Sequence, residues 1–293
     1  MQIPLDLART VAVTVDEGTF DAAARVLNIT PSAVSQRVKS LEERLGRVLL
    51  VRSKPVRPTE SGAAVVRLAR QLMLLEHDAI AAIGAGDRPG KPASVGVAVN
   101  ADSLATWFLP ALARVAWEHP VTFDLHREDE EYTTTLLESG QVMGAVTSRA
   151  TAVSGCLVRP LRITRYRAVA SPAYVDRWFR DGVTAATLAL GPLINFDRRD
   201  ELQAAFLRSR GLDGAPPVHY VPASSEFSAA VHLGLGWGML PDFQVGDALD
   251  TGALVELIPG SATDVPLYWQ QWNLRSELLD VVAEAVAEAA RRP

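Results

Sequence analysis

The sequence predicts a chain of mixed α and β class: a small helical head followed by a larger α/β body. Three observations predict it. Helical apolar periodicity dominates residues 5–45, strand and helix patterns alternate from Ser94 onward, and charge is divided between the two parts. Residues 1–57 hold nine Lys/Arg against six Asp/Glu, a net of +3, and residues 58–293 hold 20 against 28, a net of −8. A basic head on an acidic body implies two parts with different partners. The 293 residues, 48% hydrophobic and 22% charged, suffice for two domains with proper cores, which excludes a disordered, collagen-like or disulfide-stapled chain. Cys156 is the single cysteine, so no internal disulfide forms, which suits a reducing cytoplasm. No apolar run approaches the roughly 18 residues of a membrane helix, and the N-terminus lacks a signal-peptide pattern. A soluble cytoplasmic protein without membrane attachment is expected.

In the head, Leu7, Val11 and Val15 give Leu5 to Asp16 a helical spacing, which Gly18 ends. Thr19 caps a short helix from Phe20 to Leu27, and Asn28-Ile29 makes a tight turn. Thr30 caps a third helix that starts on Pro31, carries Val34, Val38, Leu41 and Leu45 on one side, and stops at Gly46. Two short helices joined by a tight turn, the second capped and basic, form a helix-turn-helix arrangement. Ser32, Ser35, Gln36 and Lys39 avoid the apolar stripe, with Arg37 flanking them. Short hydroxyls allow close approach to a groove, Gln pairs with an adenine edge, and Arg/Lys hold phosphates. Val48 to Val51 reads as a strand, and Arg52 to Arg57, with Lys54, as a charged hairpin or wing. A solvated basic face on an ordinary helical subdomain is the alternative, but caps, turn length, charge and small polar residues all agree on DNA.

These residues carry a resemblance. Phe20-Asp21-Ala22-Ala23-Ala24-Arg25-Val26-Leu27, Thr30-Pro31-Ser32-Ala33-Val34-Ser35-Gln36, Leu41-Glu42-Glu43-Arg44-Leu45-Gly46, and Arg52 followed by Pro58-Thr59-Glu60-Ser61-Gly62 resemble the winged helix-turn-helix of LysR-type transcriptional regulators. The resemblance implies Pro31, Ser32, Ser35 and Gln36 at the DNA groove and Arg52 on the backbone or minor groove. Thr59 then caps a helix from Glu60 to about Ile83 with a seam of Ala64, Leu68, Leu72, Leu75, Ala79 and Ile83. Such a seam beside a small head favours pairing with a second copy over packing on its own body. The family resemblance also implies dimers, commonly assembled into tetramers. The expected divisions are a head at 1–58, a linker helix at 59–84, a hinge at 85–93 and a body at 94–293. Two motifs in the chain are decoys. Gly90-Lys91 lacks the first glycine and the Ser/Thr of a phosphate loop, and Met239 stands where the third glycine of a dinucleotide fingerprint belongs.

In the body, strands are expected at Val95–Val99, Val121–Leu125, Val142–Val146, Arg167–Ala170 and Leu193–Phe196. Further strands are expected at Val218–Val221, Gly238–Leu240, Leu254–Leu257 and Val265–Trp272, with helices between them and a final amphipathic helix from Glu277 to Arg291. Ser103 to Trp117 is expected to be largely helical, with Pro110 either in its first full turn or kinking it. The pattern allows one domain or two lobes; the LysR resemblance selects a two-lobed, periplasmic-binding-protein-like effector domain. Lobe I is then 94–163 with 266–293, and lobe II is 164–265.

Ligands in such folds sit at the carboxyl ends of strands. Asn100-Ala101-Asp102-Ser103 occupies one such end, and its N–H groups and the Ser103 hydroxyl suit a carboxylate. Thr147-Ser148, Asn195-Phe196-Asp197 and Ser224-Ser225-Glu226 occupy others, and Glu128 to Glu131 adds a run of acid. Such a pocket favours a zwitterion with extra positive charge, although Asp102 also reads as a plain N-cap and part of the acid run as a solvated loop. Val99 to Phe108, Glu128-Asp129, Ser224-Ser225-Glu226-Phe227 and Leu267-Tyr268-Trp269 are similar to the lysine- and arginine-responsive ArgP/LysG branch of the family, which controls export of basic amino acids. That similarity implies L-lysine or L-arginine as effector. Ser103 is the candidate for the α-carboxylate, and Asp102, Asp129, Asp197 and Glu226 are candidates for the amines. Glu128, Thr147 and Ser225 complete the polar set, and Trp107 and Phe196 are candidates to line it, with core packing as the alternative. No cofactor, metal or catalytic group is expected: there is no Gly-x-Ser-x-Gly elbow or His-Glu-x-x-His, and the five histidines are scattered. The competing readings are a LysR-type regulator with another effector, an enzyme on the same body, and an effector-independent DNA-compacting protein.

Overall fold

The computed structural model describes residues 2–83, 92–127, 130–211 and 216–291, with side chains 130–132 set aside. Most of the expected hinge, up to Lys91, therefore lies outside the described residues. The chain divides into two compact units. One comprises Met1–Val99, Pro110–Arg159 and Trp269–Pro293; the other comprises Asn100–Leu109 and Pro160–Tyr268.

The first unit begins with three helices, α1 (Leu5–Asp16), α2 (Phe20–Leu27) and α3 (Pro31–Leu45). Their ends follow local rules. Thr19 Oγ1 accepts from Ala22 N at 3.1 Å, and Thr30 Oγ1 accepts from Ala33 N at 3.2 Å. The left-handed backbone of Asn28 (φ 53°) closes α2, and that of Gly46 (φ 62°) closes α3. Ala8, Val11, Val38 and Leu41 form the core with Leu49, Val66 and Ala69. Strands β1 (Leu50–Val51) and β2 (Arg57–Pro58) pair antiparallel as the wing. The first is shorter than Val48–Val51 because Glu42 Oε1 takes the amides of Leu49 and Leu50, at 2.8 and 3.3 Å.

Helix α4 (Glu60–Ala82) follows, capped by Thr59, whose Oγ1 accepts from Gly62 N at 3.0 Å. It lays Val65, Val66 and Ala69 on α1. Gly62 lets the first turn of α4 lie against the chain just before β1, since a Cβ there would lie 1.9 Å from the carbonyl oxygen of Leu49. The seam read from the sequence is on another side of the helix. Leu68, Leu72 and Leu75 are half-buried, Ala64 and Ala79 exposed, and Ile83 is 77% exposed.

Beyond the linker, chain order runs β3 (Ala93–Val99), α5 (Ala101–Ser103), a π turn at Leu104–Phe108, α6 (Leu109–Glu118), β4 (Val121–Arg127), α7 (Glu130–Glu138), β5 (Gly144–Thr147) and β6 (Cys156–Ala170). Next come α8 (Pro172–Trp178), α9 (Ala185–Leu188), β7 (Leu193–Asn195), α10 (Leu202–Arg208), β8 (Val218–Tyr220) and α11 (Ser224–His232). The chain ends with β9 (Gly238–Pro241), α12 (Asp242–Val245), β10 (Val255–Glu256), β11 (Thr263–Trp272) and α13 (Glu277–Arg291). In the first unit β3 lies between β4 and β5, parallel to both, and Ala98, Leu136, Leu137, Val142 and Ala145 form a core. In the second unit β9 and β10 pair antiparallel with β6, β7 pairs parallel with β8, and Tyr166, Phe206 and Trp237 anchor the packing.

The stretch expected to be largely helical from Ser103 is so, with a π turn directly before α6 and its Pro110; the wider turn accommodates a proline that cannot donate an N–H and crowds the carbonyl four residues back. One expectation needs correction. The strand expected at Arg167–Ala170 begins at Cys156 instead. Arg159, Pro160, Arg162 and Arg165 hide its alternation, because the segment runs on from one unit into the other without one continuous buried face.

Candidate functional site

The outer side of α3 is open. Pro31, Ser32, Gln36 and Lys39 are exposed and Ser35 is half-buried, while Val34, Val38 and Leu41 point into the core. Ser32 Oγ lies 2.9 Å from Thr30 Oγ1, so the hydroxyl pair extends the cap onto the exposed face. Lys39 Nζ is 3.7 Å from Glu43 Oε1, a solvated pair of little strength. Arg37 behaves differently from its neighbours: Nη1 donates to Thr10 Oγ1 at 3.5 Å, holding the side chain toward α1. Arg52 and Lys54 are exposed in the wing, with the Arg52 guanidinium 5.5 Å from the ring centre of Phe20. The wing is tied to the head by Val56 N, which donates to Gly18 O at 2.8 Å.

A second polar site lies in the second unit, around Asp102. Tyr166 OH donates to its Oδ2 at 2.7 Å and Ser224 Oγ donates to its Oδ1 at 2.6 Å. Gln244 Nε2 donates in turn to Ser224 Oγ at 2.6 Å. The carboxylate is thus held from both sides, yet two of its roughly four acceptor directions remain open. Burial first, and then the Asp102 charge, pushes the Tyr166 phenol well above its ordinary range, so it stays a neutral donor. Asp200 is raised as well, by burial, although it accepts from Phe196 N at 2.8 Å and Leu202 N at 3.0 Å.

The other effector candidates are dispersed. Ser103 is buried, and its N–H, expected to await a ligand, donates to Asn100 Oδ1 at 2.9 Å. Asp197 is spent on its own turn, accepting from Arg199 N at 2.7 Å and Asp200 N at 3.1 Å and pairing with the Arg199 guanidinium. Phe196 is half-buried, as is Trp107, which stands edge-on to buried Phe108 at 5.7 Å. Ser225 and Glu226 are exposed; the contact with Asp102 belongs to Ser224. Thr147 ends β5 in the first unit and accepts from Arg149 N at 3.2 Å. Glu128 and Asp129 lie outside the described residues. Tyr166 and Gln244 had no sequence signal of their own: Tyr166 sits between two arginines in a charged strand. Among the described residues no group of three His, Cys, Asp or Glu side chains is placed to hold a metal ion. Burial pushes the Cys156 thiol up to about 11, opposite to the activation a nucleophile needs.

Residues 5–63 match the bacterial regulatory helix-turn-helix protein model, lysR family, and residues 92–291 match the LysR substrate binding domain. The chain belongs to the LysR family of transcriptional regulators. The resemblance read from the motifs thus extends along the chain. The regulator is 42% identical over 285 residues to the lysine export transcriptional regulatory protein LysG of Corynebacterium efficiens, covering 96% of each chain. It is similar to the crystal structure of ArgP from Mycobacterium tuberculosis, with 41% identity, a TM-score of 0.88 and coverage of 99% and 98%. It is also similar to full-length LysG from Corynebacterium glutamicum with bound effector Arg, with 38% identity, a TM-score of 0.78 and 98% of both chains covered.

Proposed function

We propose that this LysR-family regulator reads a duplex operator and answers to L-lysine or L-arginine, controlling a gene for export of a basic amino acid. The observation that carries the effector reading is Asp102, held by two hydroxyls and half-buried, with acceptor directions to spare. A carboxylate fixed in this way gains most from an ammonium or guanidinium, because charge-assisted hydrogen bonds are about twice as strong as neutral ones. A neutral side chain leaves it desolvated without return. The LysG relative with bound Arg supports the same ligand class. Ser103, next to Asp102 in α5, is assigned to the effector's carboxylate.

For DNA, Pro31, Ser32, Ser35 and Gln36 face the groove, and Lys39, Arg52 and Lys54 hold phosphates, with Arg37 bracing the recognition helix against α1. The seam of α4, half-buried at its leucines and exposed at Ala64, Ala79 and Ile83, supports a dimer, and with it a two-fold operator. The protein works without catalysis, in the cytoplasm where its DNA is. Calorimetry on the full chain with L-lysine, L-arginine and L-norleucine tests the effector. The two cationic amino acids bind, norleucine does not, and Asp102→Asn abolishes the difference. Equal binding of norleucine defeats the reading.

A further inference from the structure

Arg70, in the middle of α4, is only 9% exposed, a rare place for a guanidinium unless its donors are paired. Both ends of its fork are in use. Nη2 donates to the Asp16 carboxylate and Nη1 to the carbonyl oxygen of Gly140. Asp16 is the last residue of α1, in the DNA-binding head, and that helix has no cation of its own in its last turn. A carboxylate there faces the negative end of the helix dipole, so it gains from a cation supplied by another element. Gly140 belongs to the turn between α7 and β5, in the substrate-binding domain. One side chain on the linker helix therefore joins the head to the sensor.

The contact is close and specific. Gly140 has φ +72°, and a Cβ on it would lie 2.7 Å from Arg67 Cβ and 2.8 Å from Arg67 Cα, so the turn runs directly against the linker backbone. Arg67 Nη1 donates to Glu138 O at 3.2 Å in the same turn. Beside the fork, however, the junction is not filled. A cavity of about 480 Å³ is lined by Asp16 and Glu17 from the head side, Met73 and His77 from α4, and Gln141 and Met143 from the sensor. Arg67 ties the turn to the linker helix alone, whereas the Arg70 guanidinium also reaches the head through Asp16, and such a directional tie transmits a displacement of one end to the other.

We infer that Arg70 is a coupling residue: it passes movement of the Glu138–Val142 turn, at the foot of β5, to the end of α1 and so to the placement of the DNA-binding head. Only the second arm of the test below rests on the basic-amino-acid reading. In the first arm, hydrogen exchange is measured on the full chain and on Asp16→Asn, Arg70→Met and Arg70→Lys. Asp16→Asn removes the charge and leaves an amide oxygen that accepts more weakly from Arg70, on the half-exposed head side, so folding is expected to survive. It raises exchange of the Gly140–Val142 amides about threefold, although Asp16 makes no hydrogen bond to them. Arg70→Met raises it further, and Arg70→Lys, with a point charge in place of a fork, falls between. Wild-type exchange of that turn in Asp16→Asn overturns the proposal.

In the second arm, an operator selected from a random duplex pool by the wild-type protein is titrated with and without L-arginine or L-lysine. Arg70→Met keeps the affinity measured without amino acid within about threefold, but shrinks the amino-acid-induced change by about fivefold or more. A full response in Arg70→Met overturns the coupling role. A wild-type protein that ignores both amino acids defeats the effector reading instead, and the exchange arm then decides on Arg70.

Discussion

Ser224 Oγ donates to Asp102 Oδ1 at 2.6 Å across 122 positions of sequence, while Ser225, the next residue, is exposed. A hydrogen bond to a charged acceptor contributes about 1.5–3 kcal/mol. Ser224→Ala is therefore expected to weaken L-arginine binding by roughly tenfold, as about 1.4 kcal/mol requires. Ser225→Ala changes it by less than about twofold, within ordinary surface variation. Calorimetry on the two variants checks this, and equal losses would remove Asp102 from the effector site.

Gln36 and Lys39 are both exposed on α3 but differ in chemistry. Gln36→Ala is expected to relax preference at one base pair, costing about 1–3 kcal/mol of discrimination. Lys39→Ala weakens binding to all sequences alike and lowers the salt slope by about one. Competition binding across single-base operator variants, repeated at several salt concentrations, separates the two. A uniform loss from Gln36→Ala reassigns that residue to the backbone.

Effector choice depends on pH in a direction set by charge. The Tyr166 phenol is raised above its ordinary value, so its contribution is complete below that value and is lost only as pH climbs through the folded one. It therefore does not titrate between pH 7 and about 9.5. The L-lysine side chain does lose its proton near pH ~10.4, whereas guanidinium keeps its charge. The ratio of L-arginine to L-lysine affinity is expected to rise about twofold by pH ~10.5 relative to neutrality. Competition calorimetry across that range reads the ratio, and a flat profile contradicts a side-chain cation at Asp102.

Cys156, with its thiol pushed up to about 11 by burial, is mostly unreactive at pH 8. The thiolate fraction there is about a hundredfold below that of a free cysteine of pKa ~8.5–9. Iodoacetamide is expected to label the native chain about a hundredfold more slowly than the unfolded one. Equal rates would show that the thiol is neither buried nor protonated as the structure has it.

The helix-turn-helix was legible because its determinants are local. Thr19, Thr30 and Gly46 act on amides or carbonyls within one turn, and Pro31 fits a first helical position by its own geometry. The same holds for the alternation of strand and helix after Ala93, and for the polar outer face of α3. The effector candidates were legible as strand ends but not as contacts. Asp102 was found as a candidate, but no partner for it could be read: Ser224 and Ser225 are alike in sequence, and only the register of α11 turns Ser224 toward Asp102. Tyr166 was hidden in the arginine-rich strand.

The sequence by itself determined the class, the head and the chemistry it presents to DNA, since caps, periodicity and charge are properties of neighbouring residues. Tertiary structure alone decided which stripe of α4 packs on α1, which serine holds Asp102, and that Arg70 joins Asp16 to Gly140. Each is a meeting of side chains far apart along the chain, and burial selects it only once the folded backbone brings them within hydrogen-bonding reach.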